Sequence, residues 1–236
     1  MLKNLVIALT FLSRLPISFS YPEDFEIRVK KAPSYFTLVG YLPGSIYFLT
    51  AIWAENIVLR VLGIAVGYYL FDLFHFDGLL DMIDGLLNQS DKERRLQIMA
   101  KGNVGPFAVF YGTLYVIAFY NLFFYLKPID FIYASVFARY SMTVLINISK
   151  PAKSTGLGAL FFPSFKLNWL IALLFSTPLL YFNILKFSIS ALVSFLTAFL
   201  VKIVASKKID GITGDVIGGT ALLTQLFNLF CMLGTG

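Results

Sequence analysis

The sequence has few charged residues and almost no cysteine. Only 14% of its 236 residues are Asp, Glu, Lys or Arg, whereas soluble domains carry about 25%. Cys231 is the only cysteine, which excludes a disulfide framework within the chain and a thiolate metal site. In their place the chain has 58% apolar residues and a mean hydropathy of +0.78. This composition excludes an ordinary soluble fold and predicts an all-α polytopic membrane protein.

Four segments without a charged residue support that prediction. Each is long enough to cross a ~30 Å hydrocarbon core, which takes about 20 helical residues. Because backbone polar groups cannot stay unpaired in lipid, these segments are expected to be helices. They comprise residues 32–54, 104–126, 167–185 and 216–236.

Less uniform segments complete the expected bundle. Asp72 lies near one end of the segment 56–74, where its side chain is expected to reach the membrane surface. Residues 2–19 either cross the membrane or lie in its interface, because Arg14 and Pro16 interrupt them. We therefore expect about seven (six to eight) transmembrane helices. The three weaker spans are residues 56–74, 131–149 and 186–205.

The positive charges predict an orientation and a single domain. Most of the 19 Lys and Arg residues fall in one set of alternating loops, which the positive-inside rule assigns to the cytoplasm. Topology and lipid headgroups account for these charges, so the net charge of +6 requires no nucleic acid. No internal repeat or polar linker divides residues 1–236, which predicts one multi-pass domain in the cell membrane.

The stretch "HFDGLLDMIDGLL" at residues 75–87 concentrates acids in this apolar chain. At ~100° per residue, Asp77, Asp81 and Asp84 fall at about 0°, 40° and −20°, on one helical face. His75 lies about 160° from Asp77, away from that face. Three stacked carboxylates repel one another, and Mg²⁺ would compensate them, because it binds carboxylate oxygens together with substrate phosphates. A helix end that merely faces the cytoplasm is the alternative.

Glycine-rich stretches provide a second set of candidates. In "GITGDVIGG" (residues 211–219), Gly211, Gly214 and Gly218 are spaced i, i+3, i+7, which favours close helix packing around Asp215. The stretches "GNVGPF" (102–107) and "KSTGLGALF" (153–161) are suited to present backbone N–H groups to phosphate. Carboxylates for Mg²⁺ and basic residues for phosphates indicate phosphoryl or nucleotidyl transfer at the cytoplasmic membrane surface.

The sequence resembles the cobalamin synthase family, adenosylcobinamide-GDP ribazoletransferase. "HFDGLLDMIDG" matches the pattern H-x-D-G-L-x-D-x-x-D-G of that family. Further similar stretches occur in the family's order: "FLSRLPI" (11–17), "LVGYLPG" (38–44), "RLQIMAKGNVG" (95–105), "ARYSM" (138–142), "GLGALF" (156–161) and "GITGDVIGG". The chain departs from the family where acids are usual, at Gln97, Lys101, Leu222 and Gln225.

The resemblance implies the last assembly step of cobalamin. α-Ribazole or its 5′-phosphate attacks adenosylcobinamide-GDP in an Mg²⁺-dependent reaction, which gives adenosylcobalamin or its 5′-phosphate and releases GMP. The expected partners are these substrates and the lipid bilayer, with a homo-oligomer or a corrin-assembly complex as a further expectation.

For this reaction each candidate residue has an expected role. The metal ligands would be Asp77, Asp81, Asp84 and Asp215. His75 or one aspartate, Asp84 among them, would act as the base for a 5′-hydroxyl, and a phosphorylated acceptor would need none. The expected substrate contacts are Arg14, Arg95, Asn103, Arg139, Lys153, Gly156 and Gly214.

Three other functions are compatible with an acidic membrane helix. A CDP-alcohol phosphatidyltransferase-like enzyme would need the motif D-G-x-x-A-R, but Asp81 and Met82 stand where its Ala and Arg belong. A cation-coupled transporter would place its acids near the bilayer midplane, whereas these acids adjoin a basic loop. A scaffold for other corrin-assembly proteins would not need the acids for turnover.

Overall fold

The computed structural model describes residues 2–18, 20 and 22–235, and most of these are helical. Within the described residues the one β-type contact is an isolated parallel bridge between Pro151 and Ile212. Short 3₁₀ segments cover Ala32–Tyr35, Leu157–Phe161 and Thr177–Tyr181, and a π-helical segment covers Tyr68–Asp72. The α-helices are α1 (Leu2–Leu12), α2 (Phe25–Val29), α3 (Phe36–Ile52), α4 (Ile57–Gly67), α5 (Leu73–Leu87), α6 (Lys92–Lys101), α7 (Pro106–Leu122), α8 (Pro128–Ile148), α9 (Asn168–Ser176), α10 (Ile184–Ile209) and α11 (Gly214–Met232).

The prediction of an all-α polytopic membrane protein is confirmed. Among the described residues, five helical stretches are long and apolar enough to cross a membrane, and a sixth results if α6 and α7, bent by 59°, form one broken span. Two shorter apolar helices, Leu2–Leu12 and Asn168–Tyr181, make up the rest of the predicted set. The five long stretches are Ala32–Ile52, Ile57–Leu87, Pro128–Ile148, Ile184–Ile209 and Gly214–Met232.

The helix boundaries differ from the predicted ones for local reasons. The predicted span 56–74 continues through the π-helical segment into the acidic stretch, which gives one helical rod of 31 residues. The predicted span 167–185 is broken, because α9 gives way to a 3₁₀ turn with proline at its start. In the first segment α1 ends before Arg14 and Pro16, and residue 19 lies outside the described residues. In the last segment α11 ends at Met232, and residue 236 is also outside them.

Helix α8 is the centre of the bundle. In its most apolar window 89% of the residues are buried inside the protein, whereas the corresponding value for Ile57–Leu87 is 22%, because that rod faces lipid over much of its surface. Helices α3, α10 and α11 pack around α8. Gly40 permits the close approach of α3, since a Cβ added there would lie 2.8 Å from the Cα of Val136.

Glycines bring α5 and α11 into backbone contact. A Cβ added at Gly78 would lie 3.0 Å from the Cα of Asp215, and one added at Gly218 would lie 3.2 Å from the Cα of His75. Gly219 approaches Leu79 in the same way, at 3.1 Å. Small residues at a crossing allow this separation in a membrane bundle. The crossing places the acidic stretch of α5 beside the first turns of α11.

The spacing of Gly211, Gly214 and Gly218 predicted that they share one helical face. The structure differs, because only two of the three lie in a helix. Helix α11 begins at Gly214, so Gly211 belongs to the turn before it. There a Cβ at Gly211 would lie 2.6 Å from the carbonyl oxygen of Lys150. The turn is held by hydrogen bonds from Ala152 N to Ile212 O (2.9 Å) and from Ile212 N to Lys150 O (3.0 Å).

Candidate active site

The four predicted acids meet where α5 crosses α11. Asp81, 9% exposed, is repelled most strongly by Asp215 and then by Asp77 and Asp84. Asp77 is exposed and Asp84 is buried. The acids therefore lie along one side of α5, as their spacing predicted, and Asp215 faces them from the neighbouring helix. We call Asp77, Asp81 and Asp215 the acid face.

Asp84 has a different environment from the acid face. Its Oδ2 accepts a hydrogen bond from the backbone N–H of Gly105 at 2.6 Å, and its Oδ1 accepts one from Ala108 at 3.0 Å. These N–H groups belong to the first turn of α7, whose amides have no partner within the helix. Asp84 thus caps α7 and ties it to α5, and any metal-binding or catalytic role of this residue stays a prediction.

Asp215 occupies the first turn of α11, where the helix dipole favours negative charge. The hydroxyl of Thr213 donates a hydrogen bond to its Oδ2 at 3.1 Å and accepts one from Val216 N at 3.3 Å. Lys153 attracts the Asp215 carboxylate electrostatically and donates to the carbonyl of Leu96 at 3.3 Å. Lys153 is therefore a basic side chain beside the acid face.

The loop after Lys153 lies against the start of α11. A Cβ added at Gly158 would lie 2.6 Å from the backbone N of Gly214. Gly156 is exposed and has φ +99°, a conformation that favours glycine. Asn103 is exposed in the turn between α6 and α7. The predicted phosphate contacts Lys153, Gly156 and Gly214 are thus on one surface near the acid face.

Arg95 is buried, and carbonyl groups are its partners. Its Nε donates to Ser90 O at 2.8 Å, and its Nη1 donates to Gly85 O and Leu86 O at 3.1 and 2.9 Å. Lys208 also donates to Leu86 O, at 2.5 Å. Two cations therefore cap the C-terminus of α5, where the helix dipole favours positive charge. The substrate contact predicted for Arg95 stays a prediction.

A rim of basic side chains continues beyond this helix end. Lys150 and Lys92 lie 2.7 and 3.5 Å from the carboxylate of Asp210, which follows α10. The hydrogen bond from Lys150 lowers the pKa of Asp210. These two lysines, like Lys153 near Asp215, belong to the set of loops that carries most of the positive charge of the chain.

Two arginines predicted as substrate contacts have other surroundings. The exposed Arg14 guanidinium lies 5.0 and 4.9 Å from the ring centroids of Tyr69 and Phe74. Arg139 is fully buried, and its Nη2 donates to Asp72 Oδ1 at 2.5 Å. His75 is also buried, with Nδ1 3.5 Å from Asp72 Oδ1, and it is off the acid face as its position on the helix predicted.

Asp72 was misjudged from the sequence. The expectation that it reaches the membrane surface is wrong, because its side chain is 0% exposed inside the bundle. Besides Arg139, Tyr47 of α3 donates to Asp72, from Oη to Oδ2 at 2.6 Å. A signal for this cluster was present, because an Arg and an Asp in separate membrane spans are expected to pair. Asp72 and Tyr47 are the two residues that the sequence interpretation missed.

The donor set of the acid face fits Mg²⁺. Among the described residues no group of three or more His, Cys, Asp or Glu side chains is arranged to hold a metal ion by itself. Mg²⁺ usually takes only one or two carboxylates and completes its shell with water and substrate phosphates. Asp81, Asp77 and Asp215 repel one another, and a bound divalent cation would neutralise part of their negative charge.

The family model for cobalamin-5-phosphate synthase matches residues 4–233. A relative from Thermosipho melanesiensis is 54% identical over 225 residues, which cover 95% of this chain and 96% of the relative. One from Fervidobacterium nodosum is 50% identical over 233 residues (98% and 97%), and one from Kosmotoga olearia is 45% identical over 226 residues (96% and 96%).

Each of these three relatives is named adenosylcobinamide-GDP ribazoletransferase. No solved structure matches the chain. The matches cover almost the whole chain, including both helices that form the acid face. The chain therefore belongs to the cobalamin-5-phosphate synthase family.

Proposed function

We propose that the chain is a membrane-embedded transferase that joins adenosylcobinamide-GDP to α-ribazole or α-ribazole 5′-phosphate. The products are adenosylcobalamin or its 5′-phosphate, and GMP. The observation that carries this proposal is the acid face, Asp77, Asp81 and Asp215, in a chain 45–54% identical to ribazoletransferases. We further propose that residues 1–236 act as one domain.

In the proposed reaction an acceptor oxygen forms a bond to the cobinamide-side phosphorus of the diphosphate, and the bond from that phosphorus to the bridging oxygen breaks. The leaving group is GMP, which takes the electron pair of the broken bond. A free 5′-hydroxyl must give up its proton, and a carboxylate of the acid face is the base that lies nearest to the proposed phosphate surface. A phosphorylated acceptor is already anionic and needs no base.

One or two of Asp77, Asp81 and Asp215 would hold Mg²⁺ in this site, with water and the substrate phosphates completing its shell. When bound, the ion would neutralise the charge that develops on the departing GMP. Asp84 supports the site from behind, because it keeps the first turn of α7 against α5. His75, buried beside Asp72, is less accessible as a base than the acid face.

Basic and backbone groups beside the acid face would bind the phosphates. Lys153 already lies near Asp215, and the first turn of α11 lies at the positive end of its helix dipole, which favours anions. Gly156 and Gly214 let the loop and helix approach a diphosphate closely, and Asn103 borders the same surface. Arg14, Arg95 and Arg139 would need to leave the partners described above to reach it.

We infer that the site faces the cytoplasm and that the chain resides in the cell membrane. The support is the basic rim around the acid face, because Lys and Arg accumulate on the cytoplasmic side of membrane proteins. A homo-oligomer or a complex with other corrin-assembly proteins stays a prediction.

The test is release of GMP from adenosylcobinamide-GDP by the purified protein in lipid vesicles. We expect release that requires an acceptor and Mg²⁺ and stops when the metal is chelated. Metal-dependent uptake of a solute into the vesicles without GMP release would instead identify a transporter. Activity lost in Asp81→Asn with normal membrane insertion would exclude a scaffold.

A further inference from the structure

Asp72 lies at the centre of a buried charged cluster inside the bundle. It ends the π-helical segment, and both of its carboxylate oxygens are engaged, Oδ1 by Arg139 of α8 and Oδ2 by Tyr47 of α3. His75 of α5 lies 3.5 Å from Oδ1. Asp72 and Arg139 are both 0% exposed. The cluster therefore joins the helical rod of residues 57–87 to α8 and to α3.

The burial of this ion pair is weak evidence for a stabilising role. Desolvation of two buried charges offsets much of their attraction, so apolar residues of similar volume are often as stabilising. The cluster is also incompletely satisfied, because Arg139 Nε and Nη1 and His75 Nδ1 have no hydrogen-bond partner in the described part of the chain. Ionisable residues within membrane spans usually have a functional role, which directs attention to what this cluster holds in place.

Asp72 directly precedes α5 in the same helical rod, shortly before the acid face and on a different side of the helix. From Asp72, the acid at position 77 is about 140° around a regular helix. Two contacts with α11 follow along α5, first His75 against Gly218 and then Gly78 against Asp215. The helix is thus held by α8 at Asp72 and by α11 at the two glycine contacts. A rotation of α5 about its axis would turn Asp81 away from Asp215.

We propose that the Asp72–Arg139 ion pair is a positioning device that fixes the rotation of α5, so that Asp81 faces Asp215 and the transferase turns over. The inference rests on the proposed function of the acid face. Neither residue needs to contact substrate. Their effect is expected on kcat rather than on KM, because misplacement by about 1 Å from a distant change can cost about 100-fold in rate.

The chain provides a matched control in a second buried ion pair. Lys186 of α10 lies 2.6 Å from Asp130 of α8, and their side chains are 5% and 2% exposed. We expect Asp72→Asn and Arg139→Gln to lower kcat per folded molecule by about 100-fold with little change in KM. Asp130→Asn and Lys186→Gln should lower thermal stability comparably and leave kcat unchanged.

The double variant Asp72→Asn with Arg139→Gln should lose no more activity than either single variant, because each single change already breaks the same ion pair. Arg139→Lys keeps the charge without the planar guanidinium and provides a folded variant if the others do not insert. Wild-type kcat in folded Asp72→Asn or Arg139→Gln would contradict the proposal, whereas Arg139→Lys should recover part of the rate lost in Arg139→Gln.

A cross-linking rate measures the rotation of α5 without any activity. A Cβ at Gly218 would lie 3.7 Å from the Cβ of His75, within the range of about 3.5–4.5 Å that disulfides adopt. In a Cys231→Ser background, the pair His75→Cys and Gly218→Cys should form a disulfide readily. Adding Asp72→Asn should slow that reaction, whereas adding Asp130→Asn should not.

Two outcomes separate the failure of this inference from that of the proposed function. If Asp81→Asn is inactive while Asp72→Asn keeps wild-type kcat and cross-linking rate, the positioning role is wrong and the acid face stands. If Asp81→Asn is itself fully active, the acid face is not the site, and the positioning role fails with it.

Discussion

Gly78 of α5 lies directly against the backbone of Asp215 in α11, with no space for a side chain between them. A Cβ there would be 2.9 Å from the Asp215 carbonyl oxygen and 3.0 Å from its Cα. The acid that completes the acid face is thus held at the point where the two helices come closest. The geometry of the site depends on this crossing as much as on the acids themselves.

Gly78→Ala is expected to push α5 and α11 apart and to reduce both GMP release and thermal stability. Overpacking of this kind costs about 1–3 kcal/mol. The matched control is Gly234→Ala, because the atom nearest to its added Cβ is the Cys231 carbonyl oxygen at 4.0 Å. Equal activity and equal melting temperature of the two variants would contradict the close crossing.

Asp77→Asn, Asp81→Asn and Asp215→Asn are each expected to reduce GMP release strongly. If the metal site contributes several kcal/mol to the transition state, the loss is at least about 100-fold. Because Asp81→Asn also removes repulsion among the acids, its melting temperature should not fall. The exposed Lys207→Ala is the control and should barely change turnover, and equal tolerance at all four positions would refute the assignment.

Asp84 is expected to behave differently from the acid face when it is mutated. Asp84→Ala removes the cap of α7, and loss of a cap costs about 0.5–2 kcal/mol. Asp84→Asn keeps an oxygen that can accept one of the two N–H groups, so it should recover part of the stability. Thermal unfolding of both variants in detergent measures this, and an unchanged melting temperature in Asp84→Ala would contradict the capping role.

Gln225 is a position at which the resemblance implies an acid, and its surroundings explain why an amide is suited here. Its side chain is 1% exposed, accepts from Tyr115 Oη at 3.0 Å and donates to Ser135 Oγ at 3.2 Å. Gln225→Glu would lose the donor and bury a charge within a span, at a cost of about 2.5–3.5 kcal/mol. We expect a lower melting temperature, and an unchanged one would indicate that water reaches this position.

The acid face could be predicted because its basis is local. The spacing of Asp77, Asp81 and Asp84 along one helix determines which side of it they share, and glycine next to them indicates a close neighbour. The identity of that neighbour was also indicated, because Asp215 is the acid within a second glycine-rich stretch. The helical class and its membrane character follow from composition alone.

The remaining features depend on tertiary contacts that spacing does not reveal. Asp84 caps a helix whose N-cap residue, Gly105, lies 21 residues later, and Arg95 caps the helix that precedes its own. The π-helical segment joins the span and the acidic stretch, which were predicted separately, into one rod. Neither the helix boundary nor the burial of Asp72 therefore followed from periodicity.

The most direct test of the acid face is binding of Mn²⁺, which accepts the same carboxylate and phosphate oxygens as Mg²⁺. Electron paramagnetic resonance of the purified protein would measure bound Mn²⁺ with and without adenosylcobinamide-GDP. We predict binding that strengthens when the diphosphate is present and is lost in Asp81→Asn but retained in Lys207→Ala. Equal Mn²⁺ binding by wild type and Asp81→Asn in the presence of the diphosphate would contradict the account.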